Sequence, residues 1–269
     1  MAEKLIIAEK PSQAAALKNG DSAFLAGGTE INRLDSSIDV STLISIGRIA
    51  ELDGITEIEE EGRSYVRIGS MCTFQDIIDY PTVPGYLKDA CRFMASRTKR
   101  NMATIGGNIA LRRTDSYLYP TLIACHAKLE FIDGNGEADK RCVNCYLKRY
   151  DELKDKLIVA VLVPVDIEVV SKRYSNTAQS HAVLTVSMGF RDGKINLGVA
   201  AKNTALVNLK EISEALEKKS LPDAEILKMV SENKELDFKQ DIFGSPEYKR
   251  YLLSVTIADL AKKVKGGKR

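Results

Sequence analysis

The chain is predicted to fold as an α+β protein, and three observations carry that prediction. Tight-turn signals, Asp192-Gly193 and Gly134-Asn135-Gly136, join strand candidates as they do in antiparallel hairpins. Amphipathic stretches of helical length gather near the C-terminus instead of alternating regularly with strands. Two glycine runs, Ala26-Gly27-Gly28-Thr29-Glu30 and Thr104-Ile105-Gly106-Gly107-Asn108, each follow a stretch that reads as ordered structure. With 269 residues and 44% hydrophobic content, the chain can bury two or three compact units.

The first elements read as a small βαβ unit. Residues 4–7 form a strand, 11–18 a helix with Pro11 at its start and Asn19-Gly20 at its stop, 24–26 a strand running into the first glycine loop, and 38–46 another strand. Residues 56–60 and 65–69 then make a hairpin, and Thr73 caps a short helix through Asp79. Leu87, Ala90, Cys91 and Met94 fall at helical spacing and deliver the chain to the second glycine run. Residues 128–133 and 137–143 flank the Gly134-Asn135-Gly136 turn, and 157–163 is a buried strand ended by Pro164. Beyond it come a hairpin of residues 182–191 and 194–201 and three helices over 206–219, 223–233 and 245–263. The domain cut belongs near 165, giving 1–165, itself divided at about 52, and 166–269.

Lys+Arg 39 against Asp+Glu 37 leaves a net charge of +2, too balanced for a protein held to nucleic acid by bulk electrostatics. The basic end, residues 262–269, reads as a solvated tail. No apolar run approaches the ~20 residues that span a bilayer, and the first residues lack a signal-peptide core, so a cytoplasmic protein without membrane association is expected. Five scattered cysteines argue for reduced thiols. Cys142-x-x-Cys145 lacks a second paired spacing, so no metal site is expected. His126 and His181 are read as structural, and no catalytic triad or general acid or base is nominated.

The glycine runs describe an anion cradle, since glycine admits close approach of backbone N–H groups and permits positive φ. In order and spacing, with Arg100-Asn101 leading the second run, they resemble the FAD-binding (medium) subunit of the molybdenum hydroxylases, the family of xanthine dehydrogenase and carbon monoxide dehydrogenase. Asp192-Gly193-Lys194-Ile195 and Ser245-Pro246-Glu247-Tyr248 resemble the hairpin and closing helix of that family's C-terminal domain. The short length and the Arg-bearing segment 111–120 are most similar to short bacterial xanthine-dehydrogenase-like or selenate-reductase flavin subunits.

The resemblance implies a two-subdomain FAD-binding domain of the vanillyl-alcohol-oxidase type, followed by a smaller α/β domain with an antiparallel sheet and helices. It implies FAD, with Ala26, Gly27, Gly28, Thr29 and Glu30 along one side of the pyrophosphate, flanked by Leu25 and Ile31. Thr104, Ile105, Gly106, Gly107 and Asn108 lie along the other. The hydroxyls of Thr29 and Thr104 are expected to help replace the pyrophosphate's water. Ile158 and Lys172 match positions near the flavin ring, where a cation would stabilise the anionic reduced ring. The family's aspartate contact falls on Tyr117 in an ungapped comparison and on Asp115 if the loop shifts by two.

The implied function is an electron-transfer flavoprotein subunit, taking electrons from [2Fe–2S] clusters and passing them through FAD to NAD or another acceptor. Its implied partners are an iron–sulfur subunit and a molybdopterin subunit. Two rivals stand beside this reading, a stand-alone flavin oxidoreductase and a scaffold that keeps the fold without FAD.

Overall fold

A computed structural model describes residues 2–94, 96–177 and 180–266. The final three residues of the basic tail therefore lie outside the described residues. The chain forms two compact units. The first comprises residues 1–83, 94–111 and 128–163, and the second 84–93, 112–127 and 164–269.

The first unit opens as its sequence predicts. Strands β1 (Lys4–Ile7), β2 (Ser22–Leu25) and β3 (Thr42–Ser45) form a parallel sheet in the order β1-β3-β2. The crossover helix Pro11–Ala16 carries proline at its first turn, where no N–H is required, and buries Ala14 and Ala15. These alanines pack with Ala8, Ile44, Ile46, Ile49, Leu52 and Leu157 in one small core. The third strand is shorter than the expected 38–46, because residues 36–40 have no regular structure and the ladder with β1 and β2 begins only at Thr42.

A five-stranded sheet follows, in the order β4 (Ile55–Glu60), β5 (Arg63–Gly69), β8 (Leu157–Pro164), β6 (Lys128–Ile132) and β7 (Ala138–Cys142). Strands β4 (Ile55–Glu60) and β5 (Arg63–Gly69) meet at Glu61-Gly62, whose φ values of 53° and 73° make the turn that matches hairpin twist. Strands β6 (Lys128–Ile132) and β7 (Ala138–Cys142) pair antiparallel, and β8 (Leu157–Pro164) lies against β6. The near-continuous burial of β8 explains why its sequence does not alternate. Thr73 caps the helix Phe74–Asp79 through a reciprocal box with Asp76.

In the second unit, β9 (Glu168–Tyr174), β10 (Leu184–Arg191), β11 (Lys194–Ala201) and β12 (Ala205–Asn208) form an antiparallel sheet ordered β12-β11-β10-β9. Asp192 and Gly193, with φ of 51° and 79°, close the β10–β11 hairpin. One correction arises here. The sequence between 205 and 219 is strand β12 followed by the helix Lys210–Lys218, because Ala205–Asn208 completes the ladder beside β11 before the amphipathic stripe begins. Strand β9 itself carries no expectation from the sequence, and it places Lys172 in register with Val186.

The helix Leu118–Ala124 was not legible in the sequence. Every residue of it is buried, so it has no polar face to set a period. It packs on β10 and β11, where Gly189 and Gly198 admit it: a Cβ on Gly198 would stand 2.4 Å from the Pro120 carbonyl oxygen. Asn196 Nδ2 donates to the Ile123 carbonyl, and the hydroxyls of Thr121, Ser171 and Ser187 bond one another. The helices Lys210–Lys218, Asp223–Glu232 and Pro246–Gly266 complete the unit, with Ile212, Leu216, Ile226, Val230, Leu253 and Ile257 in its core.

The expectation of five reduced thiols is corrected in part. Cys142 and Cys145 are disulfide-bonded at the start of the helix Val143–Lys148, whereas Cys72, Cys91 and Cys125 are free and buried. Burial pushes the Cys72 and Cys125 thiols up to about 12, so both stay protonated at neutral pH.

Candidate functional site

Within the first unit, β2 ends at Leu25 and its continuation turns at Gly27-Gly28. Only Gly28 among the four loop glycines uses the left-handed region, with φ of 68°. The others are small for a different reason, which is close approach. A Cβ on Gly27 would stand 1.8 Å from the Met102 carbonyl oxygen, so the first loop lies backbone to backbone against the segment that leads into the second. A Cβ on Gly106 would meet Ser70 Cβ at 2.5 Å, and one on Gly107 would lie 3.7 Å from Ala26 Cβ.

The second run is not a loop throughout. Gly106 and Gly107 lie in the first turn of the helix Ile105–Leu111. That turn is pinned from behind: Ile105 N donates to Cys72 O at 3.0 Å, and Gly106 N donates to Ser70 O at 2.9 Å. Gly107 N donates to Thr104 Oγ1 at 3.2 Å, so this hydroxyl accepts within the turn and keeps its own proton for another acceptor. Ala103 O accepts from Phe74 N at 3.0 Å, anchoring the approach to the turn.

Together the two runs wall a cavity of about 380 Å³. Ala26, Gly27, Gly28, Thr29, Glu30 and Ile31 line it, as do Thr104, Gly106, Gly107, Asn108 and Ile158. Leu25 and Ile105 fall outside the lining, and Ile105 is fully buried. Among the described residues, the N–H groups of Gly27, Gly28 and Thr29 have no intramolecular partner. A half-buried loop with three such donors needs an external acceptor. Glu30 is the acidic member of the lining, and Arg33 Nη1 offsets it at 3.2 Å.

Several lining residues carried no sequence signal. Tyr146 and Tyr150 come from the short helices after β7, with the Tyr146 ring tilted against Phe131 at 5.5 Å and edge-on to Tyr150 at 5.8 Å. Lys18, Lys154 and Lys156 add positive charge, though Lys18 is 3.3 Å from Asp155 and Lys156 is 3.2 Å from Asp139. Ser70 also lines the cavity and is 3% exposed. A reader of the sequence could have found Ser70 only by knowing that the Gly106 turn rests on it.

Asp115, Tyr117 and Lys172 belong to the second unit. Arg113 holds the Asp115 carboxylate with Nε and Nη2 at 2.9 and 3.0 Å, and His181 Nδ1 is 3.3 Å away. Burial raises the Asp115 pKa and Arg113 lowers it, and the net shift is downward, so Asp115 is ionised at neutral pH. Burial is the leading cause that pushes the Tyr117 phenol up. Lys172 lies 5.4 Å from the Tyr174 ring centroid and 3.9 Å from Asp259.

The cradle fits a phosphate-bearing cofactor. It combines free amides, a threonine hydroxyl with its proton available, and glycines whose Cβ positions are taken by neighbouring atoms, the Met102 backbone at Gly27 and Ser70 at Gly106. Apolar and aromatic residues, Phe24, Ile38, Leu157 and Tyr146 among them, extend the same wall, which suits a nucleotide more than a bare anion.

Comparison with known proteins agrees with this geometry. The family described as the FAD binding domain in molybdopterin dehydrogenase matches residues 2–166. The uncharacterised protein YgfM of Escherichia coli K12 is 30% identical over 272 residues, spanning 97% of this chain and 95% of the relative. The xanthine dehydrogenase FAD-binding subunit of Escherichia coli O157:H7 is 36% identical over 124 residues, covering 44% of this chain and 41% of that one. Among solved structures, a chain of carbon monoxide dehydrogenase from Hydrogenophaga pseudoflava superposes with a TM-score of 0.82 at 22% identity, covering 99% and 98% of the two chains. At that identity the likeness shows the fold, which is the α+β class expected from the sequence.

Proposed function

Because this chain belongs to the family of FAD-binding domains in molybdopterin dehydrogenases, with FAD as its cofactor, we propose that it is the flavin-bearing electron-transfer subunit of a multi-subunit molybdenum hydroxylase of the xanthine dehydrogenase type. Its partners are an iron–sulfur subunit and a molybdopterin subunit, and its acceptor is NAD or another oxidant. The observation that carries the reading is the cluster of unpartnered N–H groups at Gly27, Gly28 and Thr29 beside the second glycine turn.

Bound FAD supplies the one-electron and two-electron chemistry. The chain's residues supply binding and order. The amides of Gly27, Gly28 and Thr29 and the hydroxyl of Thr104 hold the pyrophosphate, as charge-assisted hydrogen bonds that replace its water. Ala26, Glu30, Ile31, Gly106, Gly107, Asn108 and Ile158 wall the cofactor, and the packing of Gly27 on Met102 keeps both loops at one fixed separation. Asp115, Tyr117 and Lys172 are proposed as cofactor contacts on the resemblance alone. Among the described residues, no group of three or more His, Cys, Asp or Glu is placed to hold a metal ion. No helix among them is long and apolar enough to cross a membrane.

Purification of the chain with its co-expressed partners tests the proposal. The expected result is a yellow complex that releases FAD, contains iron and molybdenum, and transfers electrons to an added acceptor. A chain that stays colourless after incubation with excess FAD refutes the reading.

A further inference from the structure

The backbone of Ser70 is fully used. It follows β5, its N–H donates to Val159 O at 2.9 Å, and its carbonyl accepts from Gly106 N at 2.9 Å. These bonds tie the central sheet to the second glycine turn. The side chain is different. Ser70 is 3% exposed, and its Oγ is buried without a hydrogen-bond partner among the described residues, yet Ser70 lines the cavity.

A buried hydroxyl with no partner costs stability, and nearly all such groups in folded proteins are satisfied. Alanine would fill the position with no such cost, so packing does not explain the oxygen. Repacking is also restricted, because Ser70 Cβ occupies the space that a Cβ on Gly106 would take, at 2.5 Å.

We propose that Ser70 is a cofactor-binding residue whose hydroxyl donates to a phosphate oxygen of the bound dinucleotide. This inference rests on the FAD reading above and deepens it. The phosphate is favoured over the rings because Ser70 is bonded directly to Gly106, in the turn that supplies the second wall of the pyrophosphate cradle. Thr104 and Ser70 then flank the same turn, one on each side of Gly106 by hydrogen bond or sequence, and each presents a hydroxyl proton. The donor is neutral and the acceptor charged, which is the stronger class of hydrogen bond.

The test is Ser70→Ala in the full chain, read by FAD titration and by thermal unfolding of the apoprotein. FAD affinity is expected to fall roughly tenfold or more, the value of one charge-assisted hydrogen bond. The apoprotein is expected to unfold at the same or a higher temperature, since the variant deletes an unpaired buried oxygen. Loss of apoprotein stability with FAD affinity unchanged overturns the proposal and leaves the FAD reading intact. Ser70→Cys, close in shape but a weak donor, is expected to lose affinity as alanine does, and wild-type affinity in that variant also overturns it. ADP and riboflavin separate the contacts: Ser70→Ala should weaken ADP by the same factor as FAD and leave riboflavin unchanged, whereas an unchanged ADP affinity refutes the phosphate contact. A wild-type chain that binds no FAD refutes both the inference and the reading beneath it.

Discussion

Substitution of Gly27 by alanine isolates the contact that holds the two glycine loops together. Gly27 does not adopt positive φ, so an added methyl brings no backbone strain of its own. Its cost is steric. The new Cβ would lie 1.8 Å from Met102 O and 2.8 Å from Met102 C. Ordinary contact between such atoms begins near 3.4 Å, so one backbone must retreat by roughly 1.5 Å. The Met102–Ala103 backbone does not move freely, because Ala103 N donates to Lys99 O at 2.8 Å and Phe74 N to Ala103 O at 3.0 Å, so the retreat falls on the first loop. Overpacking of this kind costs about 1–3 kcal/mol, and the displacement falls directly on the amides at Gly27, Gly28 and Thr29. FAD affinity is expected to fall by about a hundredfold, with thermal unfolding of the apoprotein lowered by several degrees. Gly62→Ala is the control: φ of 73° costs it about 1 kcal/mol, but open space surrounds it and FAD affinity should not change. The measurement is a fluorescence titration with FAD beside a melting curve for each variant. A Gly27→Ala chain that binds FAD within twofold of wild type would show that the loops are not held by this approach.

Other substitutions probe separate parts of the chain. Gly198→Ala would drive a Cβ to 2.4 Å from Pro120 O and 2.9 Å from Ile123 Cβ, and should destabilise the second unit by about 2 kcal/mol or more; an unchanged urea midpoint refutes the packing. Asp115 has a lowered folded pKa, so its contribution to stability is present above its unfolded value of about 4 and is lost as pH falls through the folded value. Asp115→Asn should therefore unfold more easily at pH 7 and lose less stability on acidification to pH 3, and parallel pH profiles for the two chains would rule this out. Cys142→Ser removes a bond across a sequence separation of only 3. Loop-closure entropy gives about 2 kcal/mol at most, so its melting temperature should fall modestly and become insensitive to reductant, unlike that of wild type.

How far the sequence could be read depended on whether a local signal was sufficient. Thr73 with Asp76, Asp192-Gly193, and Pro11 at a helix start are local rules, and each names its element. The helix Leu118–Ala124 is hidden because burial on all sides erases its periodicity. Strand β9 reads as mixed polar sequence, and only pairing with β10 from Phe190 to Leu184 makes it a strand. The same distinction divides the site. Glycine runs are visible in sequence, whereas Tyr146, Lys154 and Ser70 reach the cavity wall through sheet pairing and helix placement that no short window contains.

The four loop glycines also serve two physical ends that the sequence does not separate. Gly28 supplies a backbone conformation, with φ of 68°, while Gly27 and Gly106 supply absence of volume where another backbone or Ser70 passes. This difference determines what each position tolerates. Asparagine, which accepts positive φ more readily than most residues, is the mildest replacement at Gly28, but its Cβ still meets Asn32 Nδ2, the end of a side chain, at 2.9 Å. At Gly27 the obstacle is a carbonyl held in the chain, and no side chain of any shape relieves it. The cradle is thus rigid where the loops touch and adjustable where the first loop turns away. Recognition of a nucleotide over a simple anion must come from the rest of the wall. Phe24, Ile38, Leu157 and Tyr146 give that wall apolar surface, and a bare phosphate cannot cover it.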